Sequence, residues 1–363
     1  MVINKTEENK VKLLLSDYIR IDGKIWFSAV NYNGLFQYVP ETKHTKLIAC
    51  FNNDEPGKSF LHSKMLKHNS SIWLIPFQAK NIYEYNTSDR VLNCFAIPKV
   101  DEEAKCSFFL EGEVIGDKLY LFPCRYKGII VFNLNMKKVE RIIKLDDSEK
   151  NGTALYAFKG AKIFNNKIYI ANIKKNRYQV IDLISNCKEV VTLNDDFGGI
   201  THLFVTDKNV IVVGYNGKIG VYDIHGEKKY ISQFESRING PKFYDACINK
   251  EMLFLTENDK SRIAIYNYET NQKREKEYPI SDKKVFEEFW ANVLFLKFEF
   301  DKIIFQNVFD GCIYSLENNK IRNLGDIVWN ITNEERKKMK FNNIVIVKEH
   351  YGYELKTFLN NFL

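Results

Sequence analysis

The sequence predicts an all-β fold, a seven-bladed β-propeller with a short helical C-terminal tail, and two observations carry that prediction. A short turn followed by an apolar-aromatic strand recurs seven times. Its anchors are Ile25, Ile72, Leu119, Ile168, Val210, Met252 and Ile303, spaced 47, 47, 49, 42, 42 and 51 residues apart. A second landmark falls twelve to fourteen residues after each anchor, at Tyr38, Tyr85, Phe132, Ile181, Tyr222, Tyr266 and Leu316. A period in the forties that holds four short strands is that of a propeller blade.

Each unit reads as strands A to D. In the third copy they are expected at Ser107–Ile115, Lys118–Cys124, Gly128–Asn133 and Val139–Leu145. The A to B turns carry Asp22-Gly23, Asn69-Ser70, Gly116-Asp117 and Asn165-Asn166, the residues that tight hairpins require. Asn or Asp follows the second landmark in five copies and opens a polar turn, because its side chain bonds back to nearby backbone. Six or eight blades are the alternatives to seven, since Asn342–Val347 is strand-like but lacks the second landmark. The long sixth spacing suggests a helical insertion at Asp282–Trp290, and Thr332–Lys340 and Tyr353–Phe362 read as helices. The expected division is a propeller over 1–328 and a tail over 329–363 that packs on it, with Lys10–Leu15 supplying the outer strand of the last blade.

Composition sets the wider limits. With 363 residues, 45% hydrophobic and 14% aromatic, and only 18 Gly and 7 Pro, the chain has ample material for a core and is neither disordered nor collagenous. A net charge of +7 is too mild for a dedicated nucleic-acid binder, so no nucleic-acid partner is expected. No apolar run approaches the ~20 residues of a membrane span, and no membrane partner is expected. The first ten residues lack the regions of a signal peptide, and the seven Cys form no CxxC pair; reduced thiols in a cytoplasmic setting fit best. Neither a metal site nor a cofactor is expected.

The unit Gly-Lys-Ile-Trp…Leu-Phe-Gln-Tyr…Thr-Lys at 23–46 resembles the loose Kelch-type propeller pattern, and the likeness runs over about residues 16 to 325. Segments such as Lys118-Leu-Tyr-Leu-Phe-Pro-Cys-Arg125 and Ile72-Trp-Leu-Ile-Pro-Phe77 also resemble uncharacterised propeller proteins of low-GC anaerobic bacteria, and the abundance of Lys and Asn suits such a source. The resemblance implies a propeller and no particular activity.

Catalytic signatures are missing: there is no phosphate-binding glycine loop, no H-E-x-x-H, no G-x-S-x-G and no EF-hand loop. Aligning the blades offers candidates instead. Eight residues before the first six anchors stand Asp17, Lys64, Glu111, Gly160, His202 and Tyr244, where the innermost strand begins. Polar side chains of mixed sign at one blade position could ring a channel mouth, where hydrated residues contribute little to the core. The B to C loops are rich in amides and bases, among them Asn31, Lys80, Arg125 and Asn216; the D to A loops are acidic, with Asp54, Asp195, Asp196, Glu287 and Glu288. Off-repeat aromatics such as Tyr32, Tyr126, Trp290 and Trp329 are available for recognition, whereas Trp26, Trp73, Tyr120 and Tyr169 recur at anchor plus one and belong to blade packing. The expected function is a non-catalytic module that binds a protein or polar small molecule through Asp17, Lys64, Glu111, Arg125, Tyr126, His202, Tyr244 and Trp290. The alternative is a propeller lyase or hydrolase acting on a glycan, lactone or cyclic peptide, with Glu111 or Asp17 and His202 as acid and base.

Overall fold

The computed structural model describes residues 10–54, 60–98, 109–124, 126, 128–145, 156–235, 241–258, 261–278, 293–308, 310–332 and 334–335. The fold is a seven-bladed β-propeller. Seven four-stranded meanders, here called sheets 1 to 7, occupy 15–49, 62–96, 109–144, 156–192, 200–233, 243–277 and 293–326, each with the strand order A-B-C-D. In sheet 3 the strands are Phe109–Ile115, Lys118–Pro123, Gly128–Asn133 and Lys138–Lys144, within two residues of expectation at every end. Sheets 4 and 5 share one parallel bridge between their first strands, Lys159 to His202.

The chain groups into two compact units. One comprises Met1–Ala96, Ile280–Phe295 and Ile304–Leu363; the other comprises Ile97–Pro279 and Leu296–Ile303. In the second unit, alternate residues of each strand face opposite neighbours. Ile168, Ile170 and Ile181 of sheet 4 pack with Tyr120, Phe122, Ile129 and Val131 of sheet 3. Tyr169, Ala171 and Tyr178, one residue out of step, pack with Leu203, Val210, Val212 and Tyr222 of sheet 5. Because both faces are covered, strand B of sheet 5, Asn209–Gly214, is buried at every position. Such strands read as continuous apolar runs rather than as alternation.

In the first unit the closure differs from expectation. The fourth strand of sheet 7 is Lys320–Asp326, and Lys10–Lys12 instead pairs antiparallel with Val328–Asn330 in a separate ribbon. The expected boundary after 328 therefore falls inside a strand. Side-chain amides continue the attachment where this short ladder ends. Gln306 accepts the Leu15 amide at 2.7 Å and donates to the carbonyls of Leu13 and Gly311, each at 2.9 Å. Asn31 accepts the Leu14 amide at 3.0 Å and donates to the Lys12 carbonyl at 2.9 Å. Trp329 is fully buried, 5.0 Å from the Phe36 ring, so this expected recognition aromatic is a core residue, and the partly exposed Tyr32 packs edge-on against it. Thr332 and Glu335 cap one another reciprocally, and Glu334–Glu335 are helical where a helix is expected. The Asp282–Trp290 insertion, the strand-like 342–347 stretch and the remaining tail lie outside the described residues.

Candidate functional site

The repeat landmarks are ladder partners. Ile25 faces Tyr38, Ile72 faces Tyr85, Leu119 faces Phe132, Ile168 faces Ile181 and Val210 faces Tyr222. In sheet 6, Tyr266 faces Leu253 and not Met252. Met252 occupies the flanking position that Lys24, Lys118 and Lys167 hold elsewhere, and its apolar side chain hides that equivalence in the sequence. Moving the anchor to Leu253 moves the aligned row by one residue. It becomes Asp17, Lys64, Glu111, Gly160, His202 and Asp245, with Tyr244 just before it.

That row coincides with a backbone irregularity. The pairing of strands A and B shifts register between Leu15 and Tyr18, His62 and Lys64, Phe109 and Glu111, Tyr156 and Ala161, Ile200 and His202, and Phe243 and Ala246. An extra residue at such a bulge frees a side chain from the alternation and re-aims it. Two aspartates use this freedom in the same way. Asp17 accepts the backbone N–H of Met65 at 3.1 Å, and Asp245 accepts that of Leu296 at 2.6 Å, each reaching the first strand of the next sheet. Asp245 also takes the Ala246 amide at 2.8 Å, while its own backbone N–H and carbonyl bond the Thr256 hydroxyl. Farther along sheet 3, Glu113 accepts the Ile163 amide at 3.1 Å and pairs with Lys162 at 2.7 Å.

His202 is fully buried and not at a hydrated mouth. Its Nδ1 lies 3.0 Å from the Thr201 hydroxyl and its Nε2 lies 3.3 Å from the Tyr244 carbonyl. Tyr126 is also interior: its ring packs on Phe109, its hydroxyl donates to the Pro98 carbonyl at 2.9 Å, and burial pushes its pKa up to about 12. Lys64, Glu111 and Tyr244 keep partial exposure. Arg125 and Trp290 lie outside the described residues. Lys64 and Asp17 belong to the first unit, and Glu111, His202, Tyr244, Asp245 and Tyr126 to the second.

The loops spend much of the charge that the sequence displays. Asp54 is buried and accepts the Lys80 amide at 2.7 Å and the Tyr83 hydroxyl at 2.6 Å. Asp196 caps the Gly198 amide, and Asn216 donates to the Asp196 carbonyl. Sheet 6 hides a pair that the sequence reading does not single out: Lys242 Nζ meets Glu257 at 2.7 Å, with side chains 1% and 0% exposed. One signal for it was present. Four residues past the true anchor most blades have Ala, Pro or Gly, so Glu257 stands out once Leu253 replaces Met252. Among the described residues no group of three or more His, Cys, Asp or Glu could hold a metal ion.

The first unit contains one further buried polar centre. His62 Nδ1 lies 2.9 Å from the Ser28 hydroxyl, its carbonyl accepts from Ser16 at 2.7 Å, and Phe51 and Tyr83 pack against the ring. Nε2 meets no hydrogen-bond partner, and burial pushes the imidazole pKa down to about 3. A neutral ring that donates from Nδ1 leaves only a lone pair unsatisfied.

These features define a β-propeller whose first strands carry bulged polar positions. No protein-family model matches the chain and no curated protein matches it in sequence. Solved structures share that fold. Virginiamycin B lyase from Staphylococcus aureus is 15% identical with a TM-score of 0.61, covering 82% of this chain and 94% of its own. BamB from Moraxella catarrhalis is 11% identical with a TM-score of 0.55, covering 86% and 89%. The computationally designed protein Ika8 is 10% identical with a TM-score of 0.57, covering 87% of each chain. Identities this low carry the architecture alone.

Proposed function

We propose that the protein is a non-catalytic binding propeller that recognises a protein or a polar small molecule at the bulged starts of its first strands. One observation supports this reading above the others. At the bulges of the second unit, Asp245 and His202 are buried within the fold, whereas Glu111 and Tyr244 keep an acid and a phenol partly exposed. Polar groups fixed by rigid strands suit recognition by hydrogen bonds and charge. An enzymatic reading, for which the lyase among the structural neighbours offers a parallel, needs His202 as acid or base. Its burial between Thr201 and Tyr244 favours binding over proton transfer to a substrate.

A thermal-shift screen against defined oligosaccharides, nucleotides and acidic or basic peptides tests the proposal. For a compound that raises the melting temperature, Glu111→Gln and Tyr244→Ala should each weaken binding about tenfold or more, the scale of one charged hydrogen bond. A compound bound equally by both variants would move the functional surface elsewhere. Turnover of a bound compound that His202→Ala abolishes would favour the enzyme.

A further inference from the structure

The internal repeat supplies its own control for the turns between strands C and D. In five sheets the residue after the second landmark is Asn or Asp, and its side chain accepts the amide two residues on. The bonds are Ser88 to Asn86, Asn135 to Asn133, Ile184 to Asp182, His225 to Asp223 and Glu269 to Asn267. This geometry places the donating residue at the tip of the turn, where a polar side chain is the rule. Ile184 breaks it, standing 78% exposed where the other sheets have Ser, Asn, His and Glu. One position later, the amides of Met136, Ser185 and Thr270 bond the same acceptors, and Met136 is 65% exposed where the other four sheets have Asp89, Ser185, Gly226 and Thr270.

The two apolar tips occupy successive sheets of one unit. Arg141 of sheet 3 donates to Asn186 in the Ile184 turn at 2.9 Å. The Met136 turn is tied to the sheet 3 A to B turn by the bond from the Leu134 amide to the Asp117 carbonyl at 2.8 Å, and that second turn begins at the exposed Ile115. Exposed lysines flank the tips: Lys137, Lys138, Lys167 and Lys188. The acids nearby are Glu140, held by Lys118 at 2.7 Å, Asp117, which accepts from the Asn135 side-chain amide, Asp182, which accepts the Ile184 and Ser185 amides, and the exposed Glu189.

We infer that the C to D turn tips of sheets 3 and 4 form a contact surface for an anionic lipid bilayer, with Met136 and Ile184 entering the headgroup region and the flanking lysines facing acidic lipids. Protein partners are anchored by side chains seated in pockets. Exposed apolar side chains projecting from turn tips, rimmed by lysine, suit a deformable interface whose negative charge attracts each lysine. The absence of a membrane partner in the sequence expectation rests on the lack of a span, which a surface contact does not require. This inference is independent of the binding reading at the bulges.

Co-sedimentation of the full chain with vesicles of phosphatidylcholine, with and without about 30% phosphatidylserine, tests it. The wild type should sediment with the acidic vesicles and be released at high salt. The double variant Met136→Asp/Ile184→Asp and the variant Lys137→Glu/Lys138→Glu should each weaken binding about tenfold or more. Their melting temperatures should match wild type, since all four side chains are exposed; a variant that melts early would be replaced by Met136→Ser/Ile184→Ser. Failure of the wild type to bind acidic vesicles, or equal binding by the variants, would overturn the inference. So would a wild-type dimer that Ile184→Asp dissociates, because the tips would then serve self-association.

Discussion

The carboxylate of Asp245 holds the backbone amide of Leu296, and 228 residues earlier in the sequence Asp17 holds that of Met65 in the same way. Each acid stands eight residues before its own anchor, and each amide seven before the next. Asp245 is buried and Asp17 partly exposed. Asp245→Ala strands the Leu296 and Ala246 amides and should cost about 2–4 kcal/mol in urea unfolding, whereas Asp17→Ala should cost about 1–2 kcal/mol. Losses below about 0.5 kcal/mol for both would mean that the contacts do not hold successive sheets together.

The true anchor of sheet 6 can be tested by a pair of truncations. Leu253 is fully buried among Ile211, Val213 and Tyr266, and Met252 is only partly buried. Leu253→Ala should cost about 2–5 kcal/mol and Met252→Ala about 1 kcal/mol or less. The opposite order would restore Met252 to the core and turn the strand over.

His62 gives the fold a specific acid sensitivity. Its folded pKa, pushed down to about 3, lies below the ordinary value of 6.5, so between these limits the unfolded chain binds more protons. The contribution is therefore complete above pH 6.5 and is lost as pH falls toward 3, at about 1.4 kcal/mol per pH unit. His62→Gln should lower stability at pH 7 yet lose less of what remains between pH 6.5 and 4.5, by about 2 kcal/mol in paired urea melts. Parallel losses in variant and wild type would assign the acid limb to other groups.

The Lys242–Glu257 pair predicts a non-additive cycle. Removing one partner leaves a buried charge, so Lys242→Met or Glu257→Leu alone should cost about 3–5 kcal/mol, while the double variant should recover most of it. Additive losses would show that the two charges are stabilised separately.

Much of this architecture is legible in the sequence because a blade needs the same turn residues and the same apolar pair each time. Asp22-Gly23 and Asn165-Asn166 supply the positive φ of their hairpins, and Ile168 and Ile181 meet across a ladder. What the spacing does not reveal is where polar side chains go. His202 and Lys64 share a row, yet one is buried and the other partly exposed, because each bulge re-aims its residue according to the neighbouring sheet. Tyr126 and Trp329 look free for recognition only because they fall outside the repeat; both fill core positions that single sheets create locally. Gln306 gives little local signal, since two of its three partners, Leu13 and Leu15, lie nearly three hundred residues away.

The division of the bulge row between scaffold and recognition is tested most directly by urea unfolding of His202→Ala beside Glu111→Gln. His202 is fully buried and bonded at both ring nitrogens, so its truncation should cost more than about 2 kcal/mol. Glu111 is partly exposed and Gln matches its shape, so that change should stay within about 0.5 kcal/mol of wild type. Equal losses, or a larger loss at Glu111, would contradict the division and remove Glu111 from the recognition surface.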